Sequence, residues 1–103
     1  MTPSDFNIEV ENACNRSKRL LIKKAIEYSQ GEDRLDQFKQ IATLNSQSPT
    51  EALWGMTSKH IQSIAIMVKD PKAYNLRKWR EKLTDLRNYT ILLDALLIDL
   101  EVE

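Results

Sequence analysis

The stretch that decides the fold runs from Asn75 to Leu100, NLRKWREKLTDLRNYTILLDALLIDL, and contains neither glycine nor proline. Mostly apolar residues recur along it at alternating spacings of four and three, the pattern of a coiled-coil-type seam: Trp79, Leu83, Leu86, Thr90, Leu93, Leu97 and Leu100. Outside this seam there are further apolar positions: Tyr89, Leu92 and Leu96 in a second stripe, and Ile91 and Ile98 on the outer strip with Arg87 and Asp94. A helix that is apolar on nearly every side is usually buried on nearly every side. We therefore expect this helix to pack within the chain and also against a second copy of it.

Three more helices are predicted before this one. Their predicted ranges are from just after Ser4 to about Tyr28, from about Asp33 to Leu44, and from a cap at Ser48 to about Lys69. The third has the clearest start, because Ser48 is followed by Pro49 and, three residues after the serine, by Glu51. The inward faces are predicted from the spacing of apolar residues: Phe6, Val10, Ala13, Leu21, Ala25 and Tyr28 on the first helix, Leu35, Phe38, Ile41 and Ala42 on the second, and Leu53, Met56, Ile64 and Met67 on the third. Asn75 is the predicted cap of the fourth helix.

The length and composition agree with a small helical protein. The chain has 103 residues with only two glycines and three prolines, which disfavours a many-stranded β fold. Short connections between successive helices favour antiparallel neighbours. The sequence thus predicts a single all-α domain over residues 1–103, folded as an antiparallel four-helix bundle and assembled as a homodimer or tetramer through its fourth helix.

Charge and targeting patterns exclude several classes of protein. Fifteen Lys and Arg balance fifteen Asp and Glu, which argues against general electrostatic binding to nucleic acid or to an anionic membrane. The longest apolar run, Ile64–Val68, is far shorter than a membrane span, and no signal peptide is visible at Met1. The single cysteine, Cys14, is interpreted as a small core residue. We expect a cytoplasmic protein with no membrane partner.

One polar cluster interrupts the predicted core. His60 lies on the apolar face of the third helix with Lys59 beside it, and Asp85 and Asn88 lie on the fourth helix. If those two helices form a hairpin, His60 and Asp85 are predicted to lie at the same level of the bundle. Two interpretations remain open: a buried histidine hydrogen-bonded to Asp85 for structural reasons, or a site for phosphate or for a metal–phosphate complex.

Three stretches carry a resemblance to a known family: YSQGEDRLDQFKQIA (28–42), ALWGMTSKHIQSI (52–64) and WREKLTDLRNYTILL (79–93). They resemble small phage and prophage proteins that look like outlying relatives of the all-α NTP pyrophosphatases, the MazG-like superfamily. The resemblance implies oligomers whose paired helices hold Mg²⁺ against the phosphates of a nucleotide. It implies specific roles in this chain: metal binding by Asp85 and Glu81, phosphate contacts by Lys59 and His60, and further ligand contacts by Asn88 and Lys82. The sequence departs from the family's Glu-Glu-x-x-Glu pattern, and its Glu-x-x-Asp pattern survives only as Lys82-x-x-Asp85.

Three functions are consistent with these patterns. The leading interpretation is a nucleotide- or phosphate-binding protein of MazG-like type, which in its enzymatic form is an Mg²⁺-dependent nucleoside triphosphate pyrophosphohydrolase with no assigned catalytic residue. The alternative is a non-catalytic homo-oligomeric module that binds and regulates a host or phage protein. The least favoured is a single-strand nucleic-acid binder that uses Trp79 and its basic neighbours. If the protein derives from a phage, the bacterial host cell is its expected location.

Overall fold

A computed structural model describes residues 1–28, 31 and 33–103 of the chain. The described residues form four α-helices and one short 3₁₀-helix: α1 (Pro3–Tyr28), α2 (Asp36–Leu44), α3 (Pro49–Met67), the 3₁₀-helix (Pro71–Ala73) and α4 (Leu76–Asp99). The all-α prediction is therefore confirmed. Among the described residues, no helix combines the length and the apolar character that crossing a membrane requires.

The starts of α3 and α4 are those predicted from the sequence. Ser48 Oγ accepts a hydrogen bond from the Glu51 backbone at 3.3 Å, and the Glu51 carboxylate accepts one from the Ser48 backbone at 3.0 Å. This reciprocal pair is a capping box, which satisfies two of the unpaired donors at a helix start. At the other start, Asn75 Oδ1 accepts a hydrogen bond from the Lys78 backbone at 2.8 Å. Local sequence therefore determines where both long C-terminal helices begin.

The two helices α3 and α4 form an antiparallel hairpin. The core contains Leu53 of α3 together with Leu96 of α4, and nearer the connection the ring of His60 lies 4.9 Å from that of Tyr89. Residue numbers thus increase along α3 in the direction in which they decrease along α4, so the two helices are antiparallel. Trp79 closes the connection, because its indole nitrogen donates a 2.9 Å hydrogen bond to the carbonyl of Pro71. Its ring also makes an edge contact with Tyr74, so Trp79 secures the turn rather than serving as an open stacking platform.

The apolar core lies among α2, α3 and α4. Its fully buried large side chains are Phe38, Leu53 and Leu96, and Leu35 completes the buried cluster. Burying a side chain of this size from water contributes about 1.5–3 kcal/mol. Phe38 and Leu35 belong to the predicted inner face of the second helix, and Leu53 to that of the third, so both faces are confirmed. The helix α2 itself starts at Asp36, three residues later than predicted, because Asp33 instead accepts a hydrogen bond from the Leu35 backbone in the preceding turn.

The face of α4 that is most buried differs from the predicted seam. Thr84, Asn88 and Leu96 are buried, whereas Leu83 and Leu100 of the seam remain exposed. The prediction of the seam as the principal packing face is therefore wrong. Helix α4 contacts α3 on one side and α1 on another. Thr84, Asn88 and Leu96 lie between these two sides and are therefore the residues of α4 that become buried. This buried face of α4 thus includes two polar side chains, those of Thr84 and Asn88.

The first helix packs mainly on α4 and makes polar contacts there. Arg87 Nε donates a 3.1 Å hydrogen bond to Ser17 Oγ, and Arg87 Nη2 donates one of 2.9 Å to Thr84 Oγ1. Arg87 therefore lies at the junction of α1 and α4, not on an outer strip as predicted. Phe6 on the predicted inner face of this helix is exposed, and so is Cys14, whose assignment to the core is wrong.

The direction of α1 corrects the predicted topology. Met1 lines one cleft together with Leu76, and Ile22 lines another together with Ile91. Both helices therefore begin at the same end of the molecule. The antiparallel arrangement holds for α3 and α4 but is wrong for α1 and α4. The predicted inward position of Tyr28 lies outside the described side chains.

Candidate ligand-binding site

His60 was predicted to lie opposite Asp85, but in the structure it lies opposite Tyr89. The ring of His60 faces Tyr89, one helical turn beyond Asp85, at an interplanar angle of 38°. The 3₁₀-helix Pro71–Ala73 carries the chain past the end of α3 before α4 begins, and this displaces opposing pairs by about one turn. His60 Nδ1 is buried and has no hydrogen-bond partner within the described residues. The interpretation of His60 as a partner of Asp85 is therefore not supported by this register.

All four helices contribute to the wall of one cavity of about 270 Å³. The walls combine apolar and polar side chains, taken in chain order: Leu21, Lys24, Arg34, Gln37, Ile41, Met56, Asp85, Asn88, Tyr89 and Leu92. Two predicted site residues, Asp85 and Asn88, are among them. The volume is enough for a flat heterocyclic ligand or for a cluster of water molecules.

Asn88 is the most informative side chain of this cavity. It is 6% exposed, and neither Nδ2 nor Oδ1 has a hydrogen-bond partner in the part of the chain that the structure describes. A buried amide left unpaired costs about 1–3 kcal/mol. Arg34 lines the same cavity, and its Nη1 is likewise buried without a partner among the described residues. The site therefore holds donors and an acceptor that are available to a ligand or to ordered water.

A second, more open cleft of about 530 Å³ adjoins this cavity between α1 and α4. Lys24 and Asp85 line both spaces and therefore form their common wall. Among the described residues that line the cleft, four are cationic and two are acidic, with Leu20 and Thr84 completing the wall: Arg16, Lys24, Arg77 and Arg80 against Glu81 and Asp85. The cleft is net positive in a chain whose overall charge is zero.

The arginines of this cleft act on a neighbouring carboxylate. Arg16 Nη2 donates a 2.6 Å hydrogen bond to Glu9 Oε1, and this bond holds the pKa of Glu9 below its ordinary value of 4.5. The charges of Arg16, Arg80 and Arg87 lower the same pKa further. Arg16 Nε is buried, with no partner found over the described ranges. The guanidinium of Arg16 thus binds the Glu9 carboxylate through Nη2, while its Nε is a donor without a partner among the described residues.

The carboxylates that the resemblance implies as metal ligands, Glu81 and Asp85, lie one turn apart and both line this cleft. Glu81 Oε1 lies 3.7 Å from Arg77 Nε. Over residues 1–28, 31 and 33–103, no group of three or more His, Cys, Asp or Glu side chains is placed to hold a metal ion. A protein-bound Mg²⁺ prefers an octahedral set of oxygen ligands. Two carboxylates beside four cationic groups do not fit a resident Mg²⁺ centre.

The remaining predicted site residues lie elsewhere. Lys59 is exposed on α3. The space beside Gly55, one turn before Lys59, is open, since no described atom beyond its own helical turns lies within 4 Å of where a Cβ would stand. Lys82 is half-buried on α4. Neither lysine is among the described residues that line the cavity or the cleft.

The residues that replace them in the site were missed by the sequence interpretation. Arg34, Gln37 and Ile41 of the cavity recur at spacings of three and four, one position before the core residues of α2. That periodicity was a usable signal. Lys24 and Arg16 gave no such signal, because the basic run on α1 resembles an ordinary solvated face.

Comparison of the chain with protein-family models, with curated proteins and with solved structures found no match. The resemblance to the MazG-like superfamily therefore remains a prediction.

Proposed function

We propose that this protein binds a nucleotide in the cavity among its four helices. The observation that carries the proposal is the unpaired amide of Asn88, which is buried in the cavity wall within the described part of the chain. The resemblance of three stretches of the sequence to nucleotide-handling proteins supports the same class of ligand. Binding of this kind does not require hydrolysis.

The amide chemistry favours a heterocyclic base. Asn presents a donor and an acceptor side by side, and this pair matches base edges such as N6 and N7 of adenine. A nucleobase brings its own donors and acceptors and thereby removes the cost of leaving Asn88 unpaired. Gln37, which also lines the cavity, offers a second amide for the same purpose.

The walls suit a flat ring. Each of the four helices provides apolar surface to the cavity, through Leu21, Ile41, Met56 and Leu92, and small-molecule sites are mostly apolar with a few well-placed polar groups. Tyr89 adds an aromatic ring that already contacts His60. A base held in this way is shielded from water, which strengthens its hydrogen bonds to Asn88.

Binding of nucleosides and nucleotides, measured by calorimetry and by thermal shift, tests the proposal. The variant Asn88→Leu removes the amide and adds an apolar side chain beside the cavity. We expect it to abolish ligand binding while raising the melting temperature of the free protein, because the unpaired buried amide is gone. Asn12→Leu is the matched control, since Asn12 is exposed on α1 and its replacement leaves the cavity intact. Absence of any shift or heat with a full panel of nucleosides and nucleotides would reject the proposal.

Mg²⁺-dependent hydrolysis of a nucleoside triphosphate, which the resemblance implies, stays a prediction. The same panel, incubated with Mg²⁺ and assayed for pyrophosphate, tests it separately from binding. Binding without pyrophosphate release identifies a nucleotide-binding protein that lacks this chemistry.

A second candidate function, a homo-oligomeric interaction module, is favoured by the exposed apolar side chains of α1 and α4. Ile8 and Ile26 on α1 are 56% and 79% exposed, and Ile98 on α4 is 77% exposed. Where exposed apolar side chains adjoin one another, they often mark contact surfaces. Sedimentation of the wild type and of Ile91→Lys and Ile98→Lys tests this candidate. A wild-type monomer at micromolar concentration contradicts it, as do charged variants that assemble as fully as the wild type.

A further inference from the structure

We infer that the cleft between α1 and α4 is a phosphate-binding subsite whose anion is held by arginine side chains instead of by a divalent metal ion. This inference rests on the proposed function, since the same ligand would place its base in the cavity and its phosphates in the cleft. It differs from the metal-bridged binding that the resemblance implies.

The two spaces are directly connected. Lys24 and Asp85 line the cavity and the cleft at once, so a ligand that leaves the cavity past this wall enters the cleft. A flat ring that contacts Asn88 therefore has its substituents directed to a site flanked by Arg16 and Arg80. The geometry matches a ligand with an uncharged ring at one end and an anionic chain at the other.

The cationic groups of the cleft have the chemistry that phosphate requires. Guanidinium groups bind phosphate oxygens with two parallel hydrogen bonds and remain charged at every accessible pH. Arg16 keeps Nε buried without a partner among the described residues, even though its Nη2 is bonded to Glu9. Arg77 and Arg80 are exposed on the first turns of α4, where their long side chains can reorient towards a ligand.

The two carboxylates in the cleft leave a net positive charge for an anion. Glu81 lies near Arg77 at 3.7 Å and is 58% exposed, so its charge is already partly compensated and well solvated. Asp85 shares the common wall with Lys24. An anion in the cleft therefore meets the charge of Arg80 and the free Nε of Arg16, whose Nη2 is already paired with Glu9. A phosphate group gains from these charges without a bridging cation.

Titration calorimetry in EDTA tests the subsite with four related probes: a nucleoside and its mono-, di- and triphosphate. For the wild type we expect affinity to increase with each added phosphate although no divalent metal is present. Inorganic tripolyphosphate is the fifth probe, because it reports on the cleft without requiring the cavity.

Substitutions identify the groups responsible. Arg80→Gln should weaken triphosphate and tripolyphosphate binding by about tenfold, which corresponds to the loss of one charge-assisted hydrogen bond in a solvated site, and should leave nucleoside binding unchanged. Arg77→Gln combined with Arg80→Gln should weaken it further. Arg19→Gln is the matched control, since Arg19 is exposed one turn after Arg16 and its replacement removes the same charge outside the cleft. Melting curves of each variant confirm that it is folded.

Several outcomes overturn the inference. They are a triphosphate that binds in EDTA no more tightly than the nucleoside, triphosphate binding that requires Mg²⁺, and equal losses in Arg80→Gln and Arg19→Gln. In each of these cases nucleoside binding that depends on Asn88 leaves the proposed function standing. Conversely, tripolyphosphate binding that depends on Arg80, without any nucleoside binding, supports the subsite and rejects the base-binding cavity.

Discussion

The two halves of this molecule are held together by different forces. The helices α2, α3 and α4 share an apolar core in which Phe38, Leu53 and Leu96 are fully buried. The helix α1 contributes no residue to this buried apolar cluster; Arg87 of α4 donates a hydrogen bond to its Ser17, and Phe6 at its start remains exposed. The candidate site therefore lies at a boundary, where an apolar core supplies Asn88 and a less firmly bound helix supplies Lys24 and Arg16.

The largest effect is expected from a change in the core. Leu53→Ala removes a fully buried side chain, and such a substitution lowers the free energy of unfolding by about 2–5 kcal/mol because it leaves a cavity. Denaturant unfolding measures the loss. Leu44→Ala is the control, since Leu44 is 83% exposed and surface changes cost less than about 0.5 kcal/mol. Equal losses in the two variants would show that α2–α4 has no dominant apolar core.

The next effect tests the attachment of α1. Arg87→Met leaves the buried hydroxyl groups of Ser17 and Thr84 without their shared donor, at a cost of about 1–3 kcal/mol. Hydrogen exchange should accelerate in α1 while the amides of α2, α3 and α4 keep most of their protection. Arg19→Met serves as the surface control. Uniform acceleration across all four helices would mean that the two halves unfold together and do not differ in the way described above.

A smaller, stabilising effect is expected in the turn between α2 and α3. Ser46 has a φ of 53°, in the left-handed region, and the next residue, Gln47, donates a 2.8 Å hydrogen bond back to the Ala42 carbonyl. Glycine adopts this conformation without steric cost, so Ser46→Gly should raise the free energy of unfolding by about 0.5–1 kcal/mol. Asn45→Gly is the control, because Asn45 has a φ of −101° and gains nothing. A loss of stability in Ser46→Gly contradicts the prediction.

The smallest effect concerns pH and one half-buried lysine of α2, which pairs with the connection before α2 and with the end of α4. Lys39 Nζ lies 2.6 Å from Asp33 Oδ2, in the connection after α1, and 2.8 Å from Asp99 Oδ2 at the end of α4. The hydrogen bond from Lys39, followed by that from the Leu35 backbone, lowers the pKa of Asp33 from its ordinary value of 3.8. The stabilisation is therefore fully present above pH 3.8 and is lost as the pH falls through the lower pKa of the folded state.

Thermal unfolding followed from about pH 6 down to about pH 2 measures this dependence. In Asp33→Asn the acid loss should be shallower than in the wild type, because the group no longer titrates. At the alkaline end, hydrogen bonds to Asp33 and Asp99 raise the pKa of Lys39 above its ordinary value of 10.5, so its contribution is lost only as the pH rises through that higher value. Identical acid profiles for the wild type and Asp33→Asn would show that the pair is too exposed to matter.

Much of the secondary structure could be predicted from the sequence because it is encoded locally. The capping box at Ser48 and the cap at Asn75 require only residues within one turn, and the inner face of α2 follows from the spacing of Leu35 and Phe38. Only part of the candidate site could be predicted from the sequence in this way. Asn88 and Asp85 were identified because polar residues interrupt an apolar helix, whereas Lys59 on the third helix was placed with them by an assumed register.

The amino-acid sequence alone was enough to establish that this chain is helical, where α3 and α4 begin, and that Asn88 and Asp85 are unusual residues on the fourth helix. The register that sets His60 against Tyr89 and the direction of α1 along α4 became known only from the tertiary structure. Both are long-range properties, fixed by the connection at Pro71–Ala73 and by the contact of Ser17 with Arg87. Spacing along one helix carries no information about the neighbour it meets, and for that reason the arginine-lined cleft was found only once α1 and α4 were placed together.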